Sequence, residues 1–312
     1  MDINNFLQTK NGRFRFFEKK TMAEIIDFWL ASKKQKVKKS TYEYYKRTCT
    51  NIFMVKWDKY NSKTVHENVL QELIDDINND YAAKTLRDIC VIGNQILFFA
   101  YEKGFTKINA CKKIKIPQAR QIPDVLSCDE QKKFTDFLLA DPDTAKVGIL
   151  ICLYTGLRLG ELCGLRWEDI DLSVKRIKIR RTIQKINNDF HIDTPKTLNS
   201  ERIIPIPSFL YDVLKKFQAD DTLYVASGSR DFMQPRTYQY KLKRYLQDCG
   251  LPEHHFHSLR HTFASRAVEL GFDLKSLSEI LGHSNVKVTL DLYVHPSMDV
   301  KMTQMELFSK FI

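Results

Sequence analysis

No Cys-x-x-Cys pair occurs anywhere in the 312 residues, and the seven cysteines stand singly at 49, 90, 111, 128, 152, 163 and 249. An odd, scattered set is neither a disulfide framework nor a zinc site and fits a reducing compartment. All seven read as packing residues. Long apolar runs are also missing. The longest, Val147–Tyr154, falls far short of the ~20 residues that a membrane span needs. The opening MDINNFLQTK holds no apolar signal segment. Internal repeats and low-complexity tracts are absent too. These absences leave a soluble, intracellular, cytoplasmic protein with no membrane association as the expectation.

An even coat of charge is a further thing the chain lacks. Residues 1–122 hold 23 Lys and Arg against 13 Asp and Glu, whereas residues 123–312 hold 26 against 25. Nearly all of the net +11 therefore sits in the first part. Solubility alone asks for no such concentration; a polyanion, most often nucleic acid, does. The length suggests two domains, and a hydrophobic content of 43% suffices for ordinary cores.

Residues 1–20 read as a basic arm, with Phe14, Phe16 and Phe17 in an alternating run. Residues 21–114 read as a helical bundle. Ile25, Ile26, Trp29 and Leu30 fall at helical spacing, and Ser40 with Glu43 predicts a capping box ahead of Tyr44, Tyr45, Ile52 and Phe53. VLQELIDDIN supplies another helix. Ile89, Ile92, Ile96 and Phe99 form a stripe that Gly104 terminates. Pro117 and Pro123 mark a linker over 115–126. Ser127 and Glu130 then predict a second capping box, opening a domain over 127–298. That domain mixes helices, expected near 208–218, 236–249, 258–271, 274–281 and 286–294, with a small antiparallel sheet from KRIKIRRTIQKI and FHIDTPKTLNSERIIPIP. Residues 299–312 form a tail on which Met302, Met305, Phe308 and Ile312 share a helical face.

Four segments carry residues with chemistry in them. In TGLRLGEL, Arg158 and Glu161 lie three apart on one helical face, which suits an ion pair or an anion site at a helix start. In TPKTLNSERIIPIP, Lys196 lies on or beside a hairpin; alone, it reads as a solvated turn lysine. In HSLRHT, His257 and Arg260 stand near a helix start. His257 and His261 are four apart, but the glutamate of a His-Glu-x-x-His zinc motif is missing and no metal site is expected. In LGHSNVKVTLDLYVH, His283 follows a helix that stops at Gly282, and Ser284 or Asn285 can cap the next one. There Val286, Leu290 and Tyr293 keep a four-and-three rhythm that, alone, favours packing for the tyrosine.

Taken together, the four segments suit phosphodiester chemistry. Guanidiniums can clamp the non-bridging oxygens as charge grows on a pentavalent phosphorus. A lysine or histidine can protonate the departing oxygen. A tyrosine can attack and hold the phosphate covalently. A free tyrosine, with pKa about 10, is ionised about once in a thousand at pH 7, so its full activation takes roughly 4 kcal/mol. Neighbouring cations and a histidine can supply this without a metal, and no cofactor is expected.

In these four blocks, taken in order, the chain resembles a tyrosine recombinase of the integrase type carried by bacteriophages and conjugative transposons. The resemblance runs from about residue 21 to 300. It implies a mainly α fold with two domains clamping duplex DNA: an N-terminal SAM-like helical core-binding bundle, and a C-terminal α+β catalytic domain of the DNA breaking-rejoining kind. It also implies roles. Arg158 and Arg260 bind the scissile phosphate, Lys196 protonates the 5′-hydroxyl leaving group, and His257 is a general acid/base. His283 bonds the phosphate or positions the nucleophile, and Tyr293 forms a 3′-phosphotyrosyl bond. Glu161 orients the active-site residues. Candidate DNA contacts in the first domain are Lys38, Lys39, Ser40, Lys84 and Arg87.

The implied function is site-specific recombination of a mobile element, through a Holliday junction. The implied partners are double-stranded attachment sites and three further copies of the chain, making a tetramer on DNA joined by the C-terminal tail. The need for a host DNA-bending protein or a directionality factor stays open, as does cleavage in cis or in trans. Residues 1–20 are too short for a whole arm-binding domain. A type IB topoisomerase shares this chemistry, and a repressor or architectural protein that has lost catalysis shares the DNA binding. The integrase-like blocks argue against the first and the complete residue set against the second.

Overall fold

The computed structural model describes residues 19–109, 114, 124–187, 189–193 and 202–283, together with residues 302, 305, 306 and 309. The chain divides into two compact units, Met1–Gln121 and Ile122–Ile312.

In the first unit Thr21 and Glu24 close a capping box: the Glu24 amide donates to the Thr21 hydroxyl, and the Thr21 amide donates to the Glu24 carboxylate. Helix α1 (Met22–Lys33) follows and buries Ile25, Ile26, Trp29 and Leu30, the four residues its spacing selects. Helix α2 (Lys39–Thr48) corrects the expected box at Ser40 and Glu43. Its N-cap is Lys38, which carries the extended backbone a cap requires and no capping side chain, while Ser40 already lies inside the helix. The helix runs on through a π-helical turn, Cys49–Phe53, into α3 (Met54–Lys56). Cys49, Ile52 and Phe53 all point inward there. Helices α4 (Val69–Ile77) and α5 (Ala83–Glu102) complete the unit, and Gly104, at φ 69°, ends the last one.

The second unit is built around α7 (Thr144–Thr155). Its run Val147–Leu153 is buried on every face, which is what a helix apolar all round requires. Around this core lie α6 (Cys128–Ala140), opened by the expected Ser127–Glu130 box, and α8 (Leu159–Gly164). After the strands come α9 (Ser208–Phe217), α10 (Pro235–Asp248), α11 (Phe256–Glu269) and α12 (Leu274–Leu281).

The strands are β1 (Ile170–Asp171), β2 (Arg176–Ile179), β3 (Thr182–Ile186), β4 (Asp189–Asp193) and β5 (Arg202–Pro205). They form two small sheets rather than the single one expected: an antiparallel β1-β2-β5 sheet and a β3-β4 hairpin. The alternation in RIKIRRTIQKI breaks at Arg180 and Arg181. The half before the break pairs with β5 in the register Ile177↔Ile204 and Ile179↔Arg202, and the half after it pairs with β4.

The architecture is thus mainly helical, as expected. Residues 124–126, read from the sequence as the end of a linker, pack into the second unit, where Leu126 is fully buried. Of the cysteines, Cys49, Cys90, Cys152, Cys163 and Cys249 are buried as expected. Cys128 is exposed, because it opens α6 on its outer face, and Cys111 lies outside the described residues. The phenylalanines of residues 14–17 and the helix expected at 286–294 also lie outside them. On the tail, Met302 and Met305 are exposed. Among the described residues no helix is long and apolar enough to cross a membrane.

Candidate active site

Two glycines shape the site. Gly156 ends α7 and Gly282 ends α12, each in the left-handed region, at φ 69° and 65°. A side chain there would be strained by the backbone alone. It would also collide: a Cβ at Gly156 would come within 2.6 Å of Phe263, and one at Gly282 within 3.0 Å of Arg202.

The end of α12 leaves carbonyls that the helix cannot satisfy itself. The backbone N–H of His283 donates to Ser278 O at 3.0 Å, and that of Gly282 to Glu279 O at 3.0 Å. The next three carbonyls go to three arginines. Arg202 Nε donates to Ile280 O at 2.6 Å, Arg260 Nη2 to Leu281 O at 2.8 Å, and Arg158 Nη2 to Gly282 O at 3.1 Å. Cations are favoured at this negative end of a helix. Arg260 also donates through Nη1 to Gly156 O at 2.7 Å, so it ties the ends of α7 and α12 together from α11.

Arg158 is the N-cap of α8, and Glu161, three residues on, reaches back to it. The Arg158 backbone N–H donates to Glu161 Oε2 at 2.9 Å and its Nη1 to Oε1 at 2.9 Å. Arg202 fills the remaining acceptor sites, Nη1 to Oε1 at 2.9 Å and Nη2 to Oε2 at 2.8 Å. Burial alone would raise the Glu161 carboxyl. The hydrogen bonds and charge of Arg202, then of Arg158, outweigh it and hold the group at about 2.

Arg158 keeps 39% of its side chain exposed, whereas Arg202 keeps 5%. A guanidinium has five N–H donors. Arg158, with one on Glu161 and one on Gly282, therefore still has donors to offer an anion.

His283 emerges directly from the α12 cap. Burial, and then the charges of Arg260, Arg158, Arg202 and His257, push its imidazole down to about 4. At neutral pH it is an uncharged ring that can donate or accept one hydrogen bond at each nitrogen. On α11, His257 lies edge-on to His261 with ring centroids 4.6 Å apart. Burial, and then Arg260, lowers the His261 pKa as well. The start of α11 is pinned by Asp124, whose Oδ1 meets His254 Nδ1 at 2.7 Å and whose Oδ2 accepts from the Ser258 hydroxyl. Burial would raise the Asp124 carboxyl, but the Ser258 and His254 hydrogen bonds lower it.

Five of the residues singled out in the sequence, Arg158, Glu161, His257, Arg260 and His283, thus converge on the ends of α7, α8, α11 and α12. Lys196 and Tyr293 lie outside the described residues. Sequence reasoning missed Arg202 and Asp124. Arg202 stands in the same TPKTLNSERIIPIP segment as the lysine, and its signal was a charged residue at the start of an apolar strand. Asp124 carried no signal before the distant Ser258 and His254 were seen beside it.

In the first unit Lys38 caps α2, Lys39 and Ser40 open it, and Lys84 and Arg87 lie in the first turns of α5. The four basic residues are exposed and Ser40 is half-buried. Among the described residues no group of three or more His, Cys, Asp or Glu is placed to hold a metal ion.

The sequence profile of the phage integrase family matches residues 124–299. A tyrosine recombinase XerC-like protein of Caldanaerobacter subterraneus subsp. tengcongensis is 31% identical over 247 residues, covering 69% of this chain and 63% of that protein. The ICEBs1 integrase of Bacillus subtilis is 28% identical, covering 68% of this chain and 61% of that one. This chain therefore spans less than two thirds of the length of these relatives. Among solved structures, the Tn1549 transposon integrase in complex with a circular intermediate DNA superposes with a TM-score of 0.79 at 22% identity, covering 93% of this chain and 99% of that one. At that identity the likeness speaks for the fold.

Proposed function

The chain belongs to the phage integrase family, and on that premise we propose that it is a tyrosine-type site-specific DNA recombinase that integrates or excises a mobile element. The observation that carries the reading is the gathering of Arg158, Arg260, His257 and His283 at the ends of α7, α8, α11 and α12, on one helix C-terminus.

In this reading Arg158 and Arg260 take the non-bridging oxygens of the scissile phosphate. Their carbonyl partners hold them before substrate arrives, so little reorganisation is left for the transition state. The Tyr293 oxygen attacks phosphorus, the bond to the 5′-oxygen breaks, and Lys196 delivers a proton to that oxygen. His257 takes the phenol proton and returns it on rejoining. His283, neutral at working pH, bonds a phosphate oxygen or the tyrosine. The product is a 3′-phosphotyrosyl link and a free 5′-hydroxyl. A 5′-hydroxyl from a second duplex then attacks the link and releases Tyr293. One phosphodiester replaces another, so no nucleotide hydrolysis is required. Two rounds of exchange pass through a Holliday junction, which calls for four protomers on two sites, and the tail 299–312 is the element proposed to join them. Lys38, Lys39, Ser40, Lys84 and Arg87 are the proposed backbone contacts of the first unit. A DNA-bending host protein and a directionality factor are the proposed accessory partners, and the cytoplasm is the proposed location.

The test is covalent trapping. Full-length protein is mixed with nicked suicide duplexes built from candidate attachment sites, and adducts are read on a denaturing gel and mapped to the linked base. A 3′-linked adduct with the wild-type chain, and none with Tyr293→Phe at equal DNA binding, is the expected result. An adduct that survives in Tyr293→Phe removes the nucleophile assignment. Sequence-independent relaxation of supercoiled DNA with no junction intermediate would move the reading to a type IB topoisomerase.

A further inference from the structure

Arg202 is the arginine of the site that no motif selects. It is more deeply buried than Arg158, at 5% against 39% side-chain exposure. A buried guanidinium with a single weak partner would be costly, and one bonded from several nitrogens to a carboxylate and a carbonyl fixes whatever it touches. Arg202 is bonded in this way: two bonds to Glu161 and one to Ile280 O, from three different nitrogens. It also stands at the first residue of β5, directly after the Lys196 segment, and opposite Ile179 of β2.

These partners have separate consequences. Glu161 is the residue that holds Arg158, by side chain and by backbone. The Arg202 fork engages both carboxylate oxygens and so removes the freedom of that carboxylate to rotate. Ile280 O is the first of the three carbonyls whose successors hold Arg260 and Arg158. The side chain also passes close to Gly282, 3.0 Å from Cδ to where a Cβ would be, so any larger residue there would have to push Arg202 aside. The start of β5, the aim of Arg158 and the end of α12 therefore meet in one side chain.

We infer that Arg202 is a positioning residue of the phosphate site: through Glu161 and the α12 terminus it holds Arg158 in one fixed position. The inference rests on the strand-transfer reading for what Arg158 then does. Arg202 itself touches neither phosphate nor nucleophile in this scheme. A lysine at 202 keeps the charge but cannot engage both carboxylate oxygens and Ile280 O together.

The experiment uses full-length wild-type, Arg202→Lys and Glu161→Gln proteins at a temperature where circular dichroism shows all three folded. Two quantities are read. One is the single-turnover rate of adduct formation on a suicide duplex that the wild-type chain captures, beside the Kd for that duplex. The other needs no DNA: the affinity for inorganic phosphate, followed through the histidine ring signals by NMR. Positioning predicts a fall of 30-fold or more in adduct rate, on the order of the ~10² lost with a transition-state donor. It also predicts a Kd for duplex within threefold of wild type and at least tenfold weaker phosphate binding, for Arg202→Lys. Glu161→Gln, which keeps both arginines, should shift both rate and phosphate affinity in the same direction.

Equal adduct rates and equal phosphate affinities in wild type and Arg202→Lys overturn the inference and leave strand transfer standing. A parallel loss of duplex affinity and rate also overturns it, since a general structural role does that. Absence of any wild-type adduct, with phosphate binding still tenfold weaker in Arg202→Lys, removes the strand-transfer reading and supports the positioning of Arg158.

Discussion

Arg158 and Arg202 share the carboxylate of Glu161, and each donates to both of its oxygens. The two arginines come from the start of α8 and the start of β5, 44 positions apart in the chain, and they meet at this group. The carboxylate neutralises part of their charge and fixes their separation. Its loss would free both at once.

The carboxylate links folding to acid. Its folded-state pKa of about 2 lies below the ordinary value of 4.5, so the ionised group stabilises the fold. That stability is fully present above about 4.5 and disappears as pH falls toward 2. The shift corresponds to roughly 3 kcal/mol, as an order of magnitude, at ~1.4 kcal/mol per unit. Glu161→Gln should lower the urea midpoint at pH 7 and flatten its pH dependence below 4.5. An unchanged acid limb would mean that the ion pair contributes nothing to folding.

His283 links folding to a higher pH window with the same sign. Its imidazole sits at about 4, below the ordinary value of 6.5, so protonation opposes folding. The corresponding stability is complete above about 6.5 and is lost as pH falls toward 4. His283→Asn should remove that slope between pH 6.5 and 4.5 in chemical denaturation. NMR titration of the ring should show it neutral at pH 6, and a ring that titrates near 6.5 would contradict the burial described above.

Arg158→Ala should separate chemistry from binding. In the proposed mechanism the guanidinium meets charge that grows only in the transition state, so the adduct rate should fall by ~10²–10³ while duplex affinity changes little. Gel shift and single-turnover trapping on one duplex measure both. An equal loss in each would make Arg158 a ground-state contact.

Binding should fall steeply with salt. For 6–10 phosphate contacts the affinity drops on the order of 10³–10⁵ between 50 and 200 mM salt. Lys38→Ala and Arg87→Ala should each reduce the log-log slope by about 0.9, uniformly across sequences. A flat salt dependence would disconnect the basic excess of residues 1–122 from DNA.

Most of the helices were legible in the sequence because caps and stripes are local. Ser127 with Glu130, and the Ile25–Leu30 stripe, lie within one or two turns and need no distant partner. Arg158, Glu161, His257, Arg260 and His283 were legible as residues for a different reason: four short blocks resembled those of one family. Their relation to one another was not. The carbonyls of 280, 281 and 282 are backbone atoms with no identity in the sequence, yet they receive the three arginines. Ser40 misled because its pattern ignored the backbone of Lys38. The split into two sheets was hidden because Arg180 and Arg181 interrupt an alternation that continues on both sides.

The capped end of α12 also sets a radius. Three side chains from α8, β5 and α11 grip consecutive carbonyls there, so α12 can neither turn about its axis nor slide without breaking all three bonds. The chain toward Tyr293 is paid out from a moored point. Tyr293 follows His283 by ten positions, a Cα-to-Cα tether of at most roughly 35 Å. In the proposed mechanism, the Cα of the nucleophile therefore stays inside a sphere of that radius centred on the cap, whichever protomer's DNA it serves.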